Sequence, residues 1–219
     1  MNDIVITVIR FFQDGGPFMF PIGAVLAIGL AITLERWLHL SIARAKNRRM
    51  IAKLMPLVAK GEIASASKLA QQSNATVSRI LLQGMEHYKT ARRRDDFEAA
   101  MDESIMEAIP RLEKRTHYLA MFANIATLLG LLGTIIGLIK AFTAVAQVNP
   151  AEKAELLSAS ISIAMNNTAF ALMVAIPFLL IHAFLQARTT EIVDSLEAAK
   201  ISFLNLIHRG TAEAVRGAE

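Results

Sequence analysis

Cysteine is absent from the 219-residue chain. Disulfides, thiolate metal sites, iron–sulfur clusters and a cysteine nucleophile are therefore all excluded. Histidine is scarce, with five residues at positions 39, 87, 117, 182 and 208, none of them in a His-x-x-x-His or Glu-x-x-His pair. That spacing gives no expectation of a metal site. Charge is low as well: 19% of residues are charged, against about a quarter in an average soluble domain. The deficit is local. Pro17–Leu34, His117–Ile139 and Leu156–Ala187 contain no charged residue over 18, 23 and 32 positions. Such clumping argues against a soluble globular enzyme and for a small polytopic membrane protein.

A bilayer core of ~30 Å needs about 20 apolar residues in a helix, so three spans are expected: 17–38, 117–139 and 161–187. Trp37 suits an interfacial anchor at the end of the first. A cleavable leader is the rival reading of that span. A leader needs a positive start, whereas residues 1–17 carry Asp3 and Asp14 against Arg10 alone, so a retained helix is expected. Before it, Ile4, Val5, Val8, Ile9 and Phe12 share one face, consistent with a short interfacial helix over residues 1–16 that ends at Asp14-Gly15-Gly16-Pro17.

Orientation follows from the basic residues, which remain on the cytoplasmic side of span ends. Residues 41–116 hold 15 of the 23 Lys and Arg. The expected topology is thus a periplasmic N-terminus, a cytoplasmic helical domain at 39–116, a periplasmic loop at 140–160 and a cytoplasmic C-terminal helix at 188–219. The fold class is all-α, with three transmembrane helices extended into a cytoplasmic helical bundle. The net charge of +4 belongs to this sorting rather than to nucleic-acid binding.

Within 39–116, helix formers are interrupted at Pro56, Gly61 and 71–74, and a second helix is expected over about 75–91. A third follows Asp95-Asp96, with Phe97, Met101, Ile105, Ile109 and Leu112 at helical spacing. It is expected to continue into the second span, with a kink at Pro110. The third span should likewise continue past Arg188, its stripe of Ile192, Leu196, Phe203, Leu206 and Ile207 packing on the loop helices or on a neighbouring subunit.

At 100° per residue the second span divides by side-chain size. Thr127, Gly130, Gly133, Thr134 and Gly137 share one arc, and the branched aliphatic residues lie outside it. Ser160, Ala164, Asn167, Thr168, Ala171, Ala175 and His182 form a similar stripe on the third span, with Phe178 intruding. Glycine faces in membrane helices are commonly packing faces, and a threonine often bonds its own preceding turn. Two matching stripes that both bear hydroxyls equally suit a hydrated or ion-facing surface. No Asp, Glu, Lys or Arg lies inside the three runs. Ion-driven membrane machines use an intramembrane titratable group, so here it would have to come from another polypeptide.

Leu128-Leu-Gly-Leu-Leu-Gly-Thr-Ile-Ile-Gly137 and Ala164-Met-Asn-Asn-Thr-Ala-Phe-Ala-Leu-Met-Val-Ala-Ile-Pro177 resemble the two signature helices of the MotA/TolQ/ExbB proton-channel family. Glu35-Arg36 after the first span fits as well, and three spans in this length resemble the TolQ/ExbB branch rather than the longer, four-span MotA. The resemblance implies a pentamer in the bacterial inner membrane whose second and third spans line a pore. Inside it would sit the single-span helices of an ExbD/TolR-like dimer, which carries the ion-binding aspartate. Ion flow would do mechanical work across the periplasm, through a TonB- or TolA-like protein, in TonB-dependent transport, Tol-type envelope maintenance or motility.

By the same resemblance, Thr134 and Thr168 match the pore threonines, with Thr127 and Asn167 adding polarity to the ion path. Gly130, Gly133, Gly137 and Ala171 would serve helix packing and partner contact, and Pro177 would permit a bend. Three positions depart from the family pattern: Thr127 where proline is common, Ile163 where a glutamate is frequent, and Ala171 where glycine is common. Proton is the favoured ion and no cofactor is implied; the extra polarity would also suit a sodium-driven variant. A passive membrane scaffold recruiting cytoplasmic partners is the rival of another class, and it leaves the paired threonines without a purpose. A self-sufficient transporter should show an internal repeat or an intramembrane charge, and neither is visible. No nucleophile–base constellation points to an enzyme.

Overall fold

The computed structural model describes residues 15–90, 94–146 and 149–216. The expected interfacial helix at the N-terminus falls almost wholly outside them. The described residues form six helices: α1 (Met19–Ala59), α2 (Ile63–Gln71), α3 (Thr76–Thr90), α4 (Arg94–Glu113), α5 (His117–Val145) and α6 (Lys153–Arg216). Three helical stretches, within Met19–Ala59, Phe97–Val145 and Lys153–Arg209, are long and apolar enough to cross a bilayer. In the second, the apolar part is α5. With 41 and 64 residues, α1 and α6 greatly exceed the ~20 that a span needs.

Two compact units can be distinguished, Met1–Glu35 with Arg115–Phe184, and Arg36–Lys114 with Leu185–Glu219. The first unit packs the start of α1, α5 and the first half of α6 around Met19, Ile22, Ala123, Ala126, Phe170, Val174 and Phe178. Size is sorted inside out. Ala126, Gly130, Gly133, Ala164, Ala171 and Ala175 are buried, while Leu128, Leu131, Ile135, Ile139, Ile176 and Leu180 are exposed. In water such an exterior would aggregate; in hydrocarbon it costs nothing, and small interior residues let helix backbones approach closely. Phe178, which interrupts the small stripe of α6, is fully buried over Gly29, where an added Cβ would lie 2.2 Å from the ring.

In the second unit, α2 to α4 pack with the remaining parts of α1 and α6. The stripe of α4 turns inward, with Phe97, Met101, Ile105 and Leu112 buried and Phe97 edge-on to Tyr88 at 6.0 Å. On α6, Ile192, Leu196, Phe203 and Ile207 are buried too. Phe203 and Met101 both press on Gly84, so this stripe packs on the loop helices of its own chain. Lys200 ties it down further: Nζ reaches Asp102 Oδ1 at 2.5 Å, and its side chain is only 12% exposed. Arg44 pairs with Glu191.

The expected continuous helix from α4 into the second span does not form. Helix α4 ends at Glu113 and α5 starts at His117, with Arg115 at φ 64 between them. This is the left-handed region, where an L residue costs about 1–2 kcal/mol. On one side of the break, in the second unit, buried Arg36 donates Nη2–H to the Leu112 carbonyl, which the ended helix leaves without a backbone donor. On the other side, within the first unit, Arg115 Nη1 meets Glu35 Oε2 at 2.8 Å. Pro110, the residue expected to disturb the helix, is accommodated inside α4 on its exposed face; the carbonyl that it frees, on exposed Met106, is open to other donors.

Candidate functional site: the threonine pair between α5 and α6

The glycines of α5 set how closely it approaches α6. A Cβ built on Gly130 would lie 2.3 Å from Ala171 Cβ, one on Gly133 3.1 Å from Asn167 Nδ2, and one on Gly137 2.9 Å from Ala164 Cβ. These three contacts run in opposite senses along the two helices, so α5 and α6 form an antiparallel pair. Ala123, Ala126, Gly130, Gly133 and Gly137 recur at alternating three- and four-residue steps, the spacing of a coiled-coil seam built from the smallest side chains. Ala171 fills the space opposite Gly130. A methyl on α6 is thus accepted because α5 has none at that height.

This close approach brings two hydroxyls together. Thr134 Oγ1 and Thr168 Oγ1 are in direct hydrogen-bond contact. Thr134 Oγ1 also lies 3.0 Å from the Gly130 carbonyl and 3.3 Å from the Ala164 carbonyl, and Thr168 Oγ1 lies 3.2 Å from the same Gly130 oxygen. Each hydroxyl has one proton to donate and two lone pairs. Whichever donates to the other, one oxygen of the pair receives no proton from its partner. That oxygen retains acceptor capacity for an outside donor or a cation. Both residues are half-buried.

The remaining expected site residues separate. Thr127 is exposed and donates to its own preceding turn, at Ala123 O, 3.0 Å away. Asn167 lies inside rather than on the surface: it is 2% exposed, wedged over Gly133 beside Phe18, and its Oδ1 has no hydrogen-bond partner. One residue's offset from Thr168 rotates it by 100°, enough to carry it from the rim of the seam to the interior. Within this chain Asn167 therefore packs between the helices. Gly130, Gly133, Gly137 and Ala171 make close contacts within the chain, between α5 and α6. Pro177 is exposed and contained in α6, and Ile163 is exposed. Missed by the sequence reading was Gly29, whose only signal was an isolated glycine in an apolar run.

The chain is similar to known proteins. A family model described as the MotA/TolQ/ExbB proton channel family matches residues 72–198, more than half of the chain. A biopolymer transport protein ExbB homolog of Methanothermobacter thermautotrophicus is 26% identical over 196 residues, covering 89% of this chain and 68% of the relative. The ExbB-like 1 protein of Synechocystis is 30% identical over 205 residues, 90% of this chain and 78% of its own. ExbB-like 3 of the same organism is 25% identical over 167 residues, with shares of 76% and 79%. With three helices fit to cross a bilayer and the glycine–threonine seam between two of them, the chain is a multi-pass membrane protein that belongs to the MotA/TolQ/ExbB proton channel family.

Proposed function

We propose that the chain is the channel subunit of an ion-driven motor in the bacterial inner membrane, TolQ/ExbB-like, with its N-terminus periplasmic and its C-terminus cytoplasmic. It works as a homo-oligomer, a pentamer by analogy with the family, around an ExbD/TolR-like single-span dimer that brings the ion-binding aspartate. A TonB- or TolA-like protein would carry the work onward. The observation that carries this reading is the Thr134–Thr168 pair: two half-buried hydroxyls in direct contact, in spans that hold no charged residue of their own. Hydroxyls alone cannot take up and release a proton near neutral pH. They can hold a carboxyl group that does, donating to its ionised form and accepting from its protonated form. One charge crossing 100 mV releases ~2.3 kcal/mol, so a few ions per cycle supply a useful stroke. Proton remains the favoured ion.

Thr134→Val and Thr168→Val test this, because valine keeps the shape and removes the hydroxyl. Each should abolish ion-dependent output while leaving assembly unchanged, and undiminished output would sink the role. Co-purification should recover a one-span partner with an aspartate in its helix. A homo-oligomer that conducts unaided would refute the borrowed charge.

A further inference from the structure

The second unit contains a cavity of about 280 Å³ where the faces of α1 and α4 meet the start of α3. Its floor is buried and includes two polar side chains, Asn47 and Ser104. Its rim is basic: Lys46, Arg79 and Arg111 line it, with Glu107 as the only acid. Glu107 is already bound to Arg111, at 2.5 Å, so Lys46 and Arg79 leave the opening with a net positive charge. The N-terminus of the 15-residue helix α3 adds its partial positive charge at Thr76.

Asn47 points to the nature of the ligand. It is 2% exposed, and its Oδ1 accepts the Val77 backbone N–H at 3.2 Å. Only the oxygen of an amide can accept that bond, which fixes the side chain's orientation. The buried Nδ2 then has no partner in the protein. A buried donor without an acceptor is unfavourable, and Asn47 lines a cavity whose rim is positively charged. From this combination we infer that the cavity is a binding site for a phosphate-bearing anion. Asn47 Nδ2 would donate to a phosphate oxygen, and Lys46, Arg79 and the partial positive charge of the helix start would neutralise the phosphate. The volume is near the lower end of ligand pockets and exceeds what one phosphate fills, so an organic phosphate is expected, either soluble or the headgroup of a lipid.

The test is titration calorimetry of glycerol phosphate onto the full chain in nanodiscs, made once from phosphatidylglycerol and once from a phosphate-free glycolipid. Binding in both discs identifies a soluble phosphate as the ligand class. Binding in glycolipid discs alone means that the phosphatidylglycerol headgroup already occupies the site. In the discs where it binds, Arg79→Gln should weaken it about tenfold, the loss of one charge-assisted hydrogen bond. Asn47→Asp keeps the acceptor for Val77 but replaces the orphan donor with a carboxylate, and should abolish binding. The inference is overturned if glycerol phosphate binds in neither disc at about millimolar concentration, or if both variants bind it as the unaltered chain does.

Discussion

Replacing Gly130 by alanine is the sharpest probe of the α5–α6 seam. The new Cβ would lie 2.3 Å from Ala171 Cβ, and ordinary contact starts at 3.4 Å, so the helices must part locally by about 1.1 Å. Sliding aside is no remedy, because Thr168 Cα and the Asn167 carbonyl already lie 3.4 and 3.5 Å from the same point. Parting by that amount would stretch the contact between Thr168 Oγ1 and Gly130 O, now 3.2 Å, beyond hydrogen-bond range. Overpacking of this kind costs about 1–3 kcal/mol, and a lost interhelical bond in a membrane adds about 0.6 kcal/mol. Ala171→Gly removes the opposing methyl. The double variant merely exchanges which helix carries it, a volume-conserving swap expected to cost less than about 1.5 kcal/mol. Reversible unfolding of the detergent-solubilised protein, followed by helical circular dichroism, should therefore show rescue of at least about 1 kcal/mol. A single variant as stable as the parent, or a double variant whose cost is the sum of the two, would refute the assigned register.

Other substitutions probe separate features by the same unfolding measurement. Arg115→Ile should destabilise by about 1–2 kcal/mol, since a β-branched residue resists the left-handed backbone, whereas Arg115→Asn should change little; equal effects would remove the strain at the helix break. Lys200→Met keeps the stem and deletes the amine that meets Asp102. A loss of about 1–2 kcal/mol is expected, between the values for exposed and buried pairs, and no loss would show that the pair is decorative. Gly84→Ala should cost less than about 1 kcal/mol although its Cβ would meet Met101 Sδ at 2.6 Å, because methionine rearranges where a backbone cannot. A cost matching that of Gly130→Ala would contradict this contrast.

Uncharged runs and residue size made much of the membrane unit legible in advance. Run length marked the apolar helices, and the 100° projection separated Gly130, Gly133, Thr134 and Gly137 from the leucines. What a projection omits is the partner. It could not say that the two small stripes face each other within one chain, nor that Asn167 and Thr168, adjacent in sequence, lie on opposite sides of the rim. Phe178 read as an intruder because Gly29, the residue that accommodates it, lies about 150 positions away. The break before α5 was invisible for a different reason. It is made by Arg115, with no glycine or proline at the turn, while the proline that does look like a breaker is absorbed on an exposed helix face. The basic cavity also escaped notice, since Asn47, Arg79 and Ser104 are unremarkable individually and gain meaning only when three helices meet.

The threonine pair has a property that neither hydroxyl has alone: it has a direction. Donation from Thr134 to Thr168 and donation from Thr168 to Thr134 are different arrangements of the same two protons, interconverted by rotating two O–H bonds while every heavy atom stays in place. An approaching group that offers a proton selects one sense, and a group that demands a proton selects the other. A rigid seam of glycine and alanine can therefore answer two opposite chemical states of a visitor without opening.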